Sequence, residues 1–184
     1  DVVMVTMVGR GHLEQLGTIE NIAKAKDEIY RFAPAKATRI YNLSNSFTRQ
    51  MFEIHHRRFP EAKVSTFSEM NPSPDMLTVN VRFEIKSVEV DWLDISGTIA
   101  GVSGEARVPV FGVQNLTNLM AAACLCLEAG MSPKEIWQAI PSCNPVWGRS
   151  QWVHLQNGAR VLFDAYNANP ESMQAALDNF SNLK

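Results

Sequence analysis

The chain has 184 residues, 46% of them apolar and 20% charged, with 17 lysines and arginines against 19 acidic residues. This composition excludes global disorder, and a formal charge of −2 argues against nucleic acid as the main partner, because phosphate binding asks for a basic excess. The longest apolar run, Leu119 to Leu127, is too short to cross a bilayer, so no membrane partner is expected.

The chain opens with a near-continuous apolar run, Asp1 to Val8, of the kind found in parallel strands covered on both faces. It has no initiator Met, no basic n-region and no small-residue cleavage site, so no signal peptide is visible. A buried strand with nothing before it reads as an excerpt from a longer protein. After the Gly9–His12 loop, Thr18 is a natural N-cap with Glu20 in the first turn, and a helix runs to about Phe32. A strand follows over Thr38 to Leu43. Ser46 then begins a helix whose apolar face is set by Phe47, Met51 and Ile54, and Val64 to Phe67 is a short strand. Strand, helix, strand, helix, strand predicts a parallel α/β sheet.

The pattern then changes. Val79, Val81, Phe83 and Ile85 alternate strictly within Thr78 to Ile85, and Val88 to Ile95, Thr98 to Gly101 and Glu105 to Val110 follow as β-prone stretches. Broken by Gly97, Gly101 and Gly104, they predict an antiparallel meander attached to the parallel sheet. Asn115 to Ala129 reads as a helix closed by Gly130, and Ser132-Pro133-Lys134-Glu135 opens a second with a capping box. Pro141 to Pro145 reads as a linker. Two strands, Gln151 to Gln156 and Arg160 to Asp164, precede a last helix that starts at Asn169-Pro170-Glu171 and carries Met173, Leu177 and Phe180 on one side. Residues 1–141 thus form one unit, and residues 142–184 are the linker and opening of a second.

Several residues stand out chemically. Lys26 falls in the middle of the stripe of Ile19, Ile22, Ile29 and Tyr30, where an ammonium must snorkel, pair, shift its pKa or be modified. His12 follows the C-terminal end of the first strand, the edge at which open parallel sheets bind ligands, and a neutral imidazole there suits a metal or a phosphate. His55-His56-Arg57-Arg58 reads as a basic cluster complementing a helix dipole. Asn115 is a natural N-cap, but Asn118 sits one turn inside its helix, where an exposed amide suits a nucleobase edge. Arg149 beside the linker can clamp phosphate, unless it is a plain surface arginine. Asp164, Tyr166, Asn167 and Asn169 form a polar cluster at a strand end, readable as a ligand site or an Asx-type helix cap. Cys124, Cys126 and Cys143 lack metal spacing and cannot pair locally at i and i+2, which reads as buried thiols in a reducing cytoplasm.

Five motifs in order resemble the Mur ligases, the ATP-dependent amide ligases of peptidoglycan stem-peptide synthesis. They are Gly9 to Glu14, Gly17 to Lys26, Phe111 to Ala123, Gly148-Arg149 and Asp164 to Pro170. The run Tyr166-Asn-Ala-Asn-Pro170 is most similar to the member that joins D-alanyl-D-alanine to UDP-N-acetylmuramoyl-tripeptide. The resemblance implies a central ATP-binding domain over residues 1–141, then the first β-β-α of a Rossmann-like C-terminal domain. It implies ATP and Mg2+ as cofactors, and a reaction through an acyl phosphate attacked by the dipeptide amine. Carried over, Lys26 is carbamylated and helps position magnesium, His12 is a magnesium ligand, and Asn115 and Asn118 lie at the adenine. Arg149 reaches the phosphates, Asp164 lies near the ribose, and Tyr166, Asn167 and Asn169 face substrate. The family also implies a cytoplasmic monomer.

Three departures accompany the match. No Gly-x-x-x-x-Gly-Lys-Ser/Thr phosphate loop occurs in the 184 residues. Gln114 stands where the family usually has histidine, and Arg10-Gly11 where smaller or neutral residues are usual. Another Mur-type ligase, a folylpolyglutamate synthase and a non-catalytic remnant of the fold stay open as alternatives.

Overall fold

The apolar opening run becomes the first strand of a six-stranded sheet in this computed structural model, which describes residues 1–11, 13–69 and 79–181. Strands β1 (Val2–Val5), β2 (Thr38–Asn42), β3 (Val64–Phe67) and β4 (Val81–Val88) pair in parallel and in chain order. Strands β5 (Leu93–Ile99) and β6 (Val102–Val108) extend the sheet in antiparallel fashion, so β6 again runs the same way as β4. The expected parallel sheet with its meander is therefore present. The first strand feeds both cores, as expected: Val5 is buried and Val3 packs on the α2/α3 side, Met4 packs against the other core, and Val2 is exposed.

Helices cover the two faces. A single turn, α1 (Leu13–Leu16), precedes α2 (Ile19–Arg31), which pairs with α3 (Ser46–Arg58) over one face; α4 (Asn115–Glu128) and α5 (Pro133–Ala139) cover the other. Neighbouring residues of β2 serve opposite cores, as strand alternation requires: Tyr41 packs with Val5, Ile22, Tyr30 and Phe52, while Ile40 packs with Phe67, Phe83 and Met120. The caps read from the sequence are in place. Thr18 accepts from the Asn21 N–H at 3.2 Å, and Ser132 and Glu135 close a capping box.

In the meander, Gly97 and Gly104 are not breaks. They sit in mid-strand opposite each other, and the turn falls at Ala100–Gly101, both with positive φ. The reason is close approach. A Cβ on Gly104 would lie 2.5 Å from the Trp137 ring, and one on Gly97 would lie 1.9 Å from the Arg82 carbonyl oxygen. The bare backbone lets Trp137 lie against the sheet and donate to the Val102 carbonyl oxygen at 3.2 Å.

Helix α3 is rotated from the expected face. Ile54 is 54% exposed, and the buried residues are Thr48, Met51, Phe52 and His55. Polar members go inside because each has a partner there: the Thr48 hydroxyl donates to the Asn42 carbonyl oxygen, and His55 Nδ1 lies 3.1 Å from the Tyr41 hydroxyl. Asp27 of α2 sits 3.1 Å from His55 Nε2. The histidine pair is thus no uniform basic cluster, since His55 is core and His56 stacks on Phe52. Arg39 of β2 is also buried, donating to the Tyr30 carbonyl oxygen in the last turn of α2 and to those of Ala33 and Ala37 beyond it. All three cysteines are free, and burial pushes the Cys124 thiol pKa up to about 12.

Burial holds the His55 pKa below its ordinary value, with Arg39 and Arg58 adding to the effect and Asp27 opposing it. The unfolded chain then binds this proton at higher pH than the folded one, so acid favours unfolding. Stability should decline as pH falls through about 6.5, the unperturbed histidine value, until the folded pKa is passed. Thermal melts between pH 8 and pH 5 should show a smaller pH dependence for His55→Gln. An equal slope in both proteins would contradict the assignment.

Candidate functional site

Strands β1 to β4 and β6 present their C-terminal ends at one edge of the sheet, and that edge is stitched by side chains. Asn42 donates to the Thr6 carbonyl oxygen at 2.9 Å. Asn45 accepts from the Val8 N–H, donates to the Val8 carbonyl oxygen, and caps α3 at Thr48. Ser44 lies 3.1 Å from the Ser68 hydroxyl and accepts from the Glu69 N–H, while Glu69 accepts from Thr117 of α4 at 2.8 Å. Sequence reasoning missed these residues. The signal was the density of Asn and Ser over Tyr41 to Ser46, directly after a buried strand.

Lys26 is half-buried, and its Nζ donates to the Met7 carbonyl oxygen at 2.9 Å, in the loop after β1. Ile22, Ala23 and Tyr30 form the buried stripe around it, whereas Ile29 is 45% exposed and takes no part. His12 lies outside the described residues. Beside Lys26's loop stands the first turn of the last helix, α6 (Pro170–Ser181): Glu171 Oε2 accepts from the Arg10 N–H at 2.9 Å. A Cβ on Gly9 would lie 2.5 Å from that carboxylate oxygen, so the contact uses glycine's bare backbone.

At the start of α4 the cap assignment changes. Gln114 is the capping position and Asn115 the first helical residue, because the turn at Gly112 (φ 93) starts the coil one residue earlier. The Asn115 amide reaches back to the Phe111 carbonyl oxygen at 2.7 Å, and Asn118, exposed, donates to Asn115 Oδ1 at 3.4 Å. Gln114 donates to the Ser150 hydroxyl at 3.3 Å and accepts from Asn179 of α6 at 2.8 Å. Asn179 in turn accepts from the Val113 N–H.

The segment after the linker folds as a hairpin, β7 (Gln151–His154) and β8 (Arg160–Phe163), followed by α6. The Tyr166 N–H donates to the Gly148 carbonyl oxygen at 3.1 Å, and the Ser150 N–H to Asp164 Oδ1 at 3.0 Å. The exposed Arg149 guanidinium lies 4.2 Å over the Tyr166 ring. Asn169 exchanges hydrogen bonds with Ser172, so the Asx-type cap of α6 is present, and Asn167 is exposed. Helix α6 docks by polar residues, with Glu171 on the β1 loop and Asn179 on the start of α4. Its apolar stripe of Met173, Leu177 and Phe180 is exposed.

The structure therefore brings Asn115 and Asn118 to the same edge as Asp164 and Arg149, through Gln114 and Ser150. It brings Lys26 to the β1 loop that Glu171 touches. Exposed amides and an arginine without an acidic partner among the described residues suit an anionic ligand with a polar ring edge. No group of three or more His, Cys, Asp or Glu side chains among the described residues could hold a metal ion. No helix among them is long and apolar enough to cross a membrane.

Residues 1–126 match the Mur ligase middle domain. The chain belongs to the Mur ligase family. It is 28% identical to the UDP-N-acetylmuramoyl-tripeptide–D-alanyl-D-alanine ligase of Escherichia coli (strain K12), over 95% of this chain and 36% of that protein. The ligase of the same name from Bacillus subtilis (strain 168) is 23% identical over 100% of this chain and 37% of its own length. Among solved structures, MurF from Acinetobacter baumannii superposes with a TM-score of 0.84 at 24% identity, covering 100% of this chain and 38% of that one. MurF ligase from Thermotoga maritima in complex with ADP gives 0.77 at 18% identity, covering 97% and 38%. At these identities the structures attest the fold. The Mur ligase chain spans about a third of the length of the curated relatives it matches.

The two ends of α6 generate a prediction. Asn179→Ala removes the bonds to Gln114 and Val113, each worth about 1 kcal/mol. Amide exchange in α6 should rise severalfold while β2 to β5 stay protected. Unchanged α6 exchange would show that these bonds do not hold the helix.

Proposed function

We propose that residues 1–141 are the ATP-binding middle domain, and residues 142–184 the linker and opening of the C-terminal domain, of a ligase that joins D-alanyl-D-alanine to UDP-N-acetylmuramoyl-tripeptide. The reaction is amide formation between a carboxylate and an amine, driven by ATP through an acyl phosphate. The observation that carries this reading is the junction of the α4 start with the Gly148–Tyr166 segment through Gln114, Ser150 and Asp164. It puts the half-buried Asn115, the exposed Asn118 and a guanidinium with no acidic partner among the described residues at one sheet edge, the chemistry a nucleotide asks for. Curated relatives of that one name, matching nearly the whole chain, favour it over a folylpolyglutamate synthase.

In this reading Asn115 and Asn118 hold the adenine edge, Arg149 the phosphates and Asp164 the ribose. Tyr166, Asn167 and Asn169 belong to the acceptor side, and the reaction belongs in the cytoplasm, carried out by a monomer. Lys26 and His12 hold magnesium, Lys26 as its carbamate. The donor set fits: carbamylation leaves one N–H on Nζ, so the bond to the Met7 carbonyl oxygen can persist, while the new carboxylate supplies the hard oxygens magnesium prefers. Bound magnesium neutralises phosphate charge during phosphoryl transfer. Because the 184 residues hold no phosphate loop, they alone should not turn over ATP.

Two substitutions in the whole ligase test the reading. Asn118→Ala should narrow the preference for ADP over GDP in a binding titration, without changing the melting temperature by more than about 2 °C. Lys26→Ala should lose most ligation, and short carboxylates in the medium should restore part of it. Unchanged nucleotide preference in the first and wild-type rates in the second would contradict it.

A further inference from the structure

Arg149 is unusual for an exposed arginine in how firmly its surroundings are fixed. The preceding Gly148 has φ 73, and a Cβ there would lie 3.3 Å from the Tyr166 nitrogen and 3.4 Å from its Cβ. Its N–H donates to Gln151 Oε1 at 2.8 Å, and its carbonyl oxygen accepts from the Tyr166 N–H at 3.1 Å. On the other side, the Ser150 N–H is bound to Asp164 Oδ1, and Ser150 itself takes a left-handed φ of 45. Residues 148–150 are thus stapled to residues 164–166 on both sides of the arginine. The Arg149 backbone N–H closes the turn onto the Val146 carbonyl oxygen at 2.9 Å.

The side chain completes the arrangement. The Arg149 guanidinium lies 4.2 Å over the Tyr166 ring, and Tyr166 is 60% exposed. Stacking occupies the flat face of the guanidinium and leaves its edge, where all five N–H donors lie, unspent. No carboxylate among the described residues takes those donors. A long side chain that would otherwise sample many rotamers is held flat, with its donor fork open to solvent. Arginine forks recognise phosphate through such edges, and pre-ordering the fork removes part of the entropy that binding would otherwise cost.

We propose that Tyr166 is a positioning residue for Arg149: its ring is the platform that holds the guanidinium ready for the nucleotide phosphates. The inference rests on the reading of Arg149 given above and gives Tyr166 a task besides any contact with the acceptor. The aromatic ring does the positioning and the hydroxyl takes no part. Phenylalanine should therefore serve as well as tyrosine, and leucine should not.

The test compares Tyr166→Leu, Tyr166→Phe, Arg149→Ala and the Tyr166→Leu/Arg149→Ala double variant in the whole ligase. ADP affinity is read by calorimetry, with KM for ATP and for the dipeptide read separately. Tyr166→Leu should weaken ADP binding and raise KM for ATP by about threefold to fivefold, the range of an exposed cation–π contact. The loss should fall on ADP affinity and KM for ATP, while KM for the dipeptide registers any acceptor contact of Tyr166 separately. Tyr166→Phe should match wild type in ADP affinity, and the double variant should bind ADP no worse than Arg149→Ala alone. The Arg149 Nε–H resonance of the nucleotide-free protein gives a readout independent of activity. It should be displaced upfield by the ring current in wild type and Tyr166→Phe, and should return to the free-arginine position in Tyr166→Leu. Should Tyr166→Leu not fold, the wild-type resonance decides, because a free-arginine position there overturns the proposal. Wild-type ADP affinity in Tyr166→Leu, with weakened affinity in Arg149→Ala, overturns the positioning role alone. Wild-type affinity in Arg149→Ala overturns the phosphate reading of Arg149, and the positioning role with it.

Discussion

Where a parallel strand ends, its backbone N–H and C=O groups lose their ladder partners, and this constraint shapes the whole functional edge of the molecule. Asn42 and Asn45 answer it at β1 and β2, bonding the Thr6 and Val8 backbone while capping α3. Ser44 carries the chain of bonds to Ser68 and Glu69, and Glu69 carries it to α4. The described parts of these loops thus satisfy their polar groups through one another. Among the described residues of that edge, Asn118 and Arg149 keep donors available to a ligand.

The second half of the site is attached differently. Helix α6 touches the rest of the chain through Glu171 at one end and the two bonds of Asn179 at the other, with Met173, Leu177 and Phe180 about half exposed. Trp152 adds apolar contact by packing edge-on to Phe111 and tilted against Phe180. A contact of this kind, largely polar and made by few residues, resembles an interface that opens and closes more than a core. Gly148 and Ser150, both with positive φ, flank Arg149 and hold it to the Asp164–Tyr166 segment. A binding site divided across this junction gains its full set of contacts only when the two parts meet.

Much of the fold was legible because it rests on periodicity. The parallel order of β1 to β4, the alternation of Val81 and Phe83, the Thr18 cap and the Ser132 capping box all follow from spacing and residue type. Errors fell where a tertiary partner overrode the local rule. Gly97 and Gly104 read as breaks because the groups that require them, the Arg82 carbonyl on β4 and the Trp137 ring on α5, lie on other elements. His55 read as a surface base because Tyr41 and Asp27, which make its burial tolerable, lie on other elements. Asn115 read as a cap because the turn at Gly112 is invisible to composition. Lys26, Asn118, Arg149 and Asp164 stood out by type and place, and the roles proposed for them rest on the resemblance of their motifs to the Mur ligases. Gln114, Glu171 and Asn179, which join the two halves, had no local signature.

The central claim is that a nucleotide occupies the sheet edge between the start of α4 and the Gly148–Tyr166 segment. Photolabelling of the whole ligase with 2-azido-ADP, followed by peptide mapping, tests it directly. The account predicts adducts within residues 111–118 or 148–166, suppressed by excess ATP. Suppressible adducts found only elsewhere, such as on the β4–β6 meander, would contradict it.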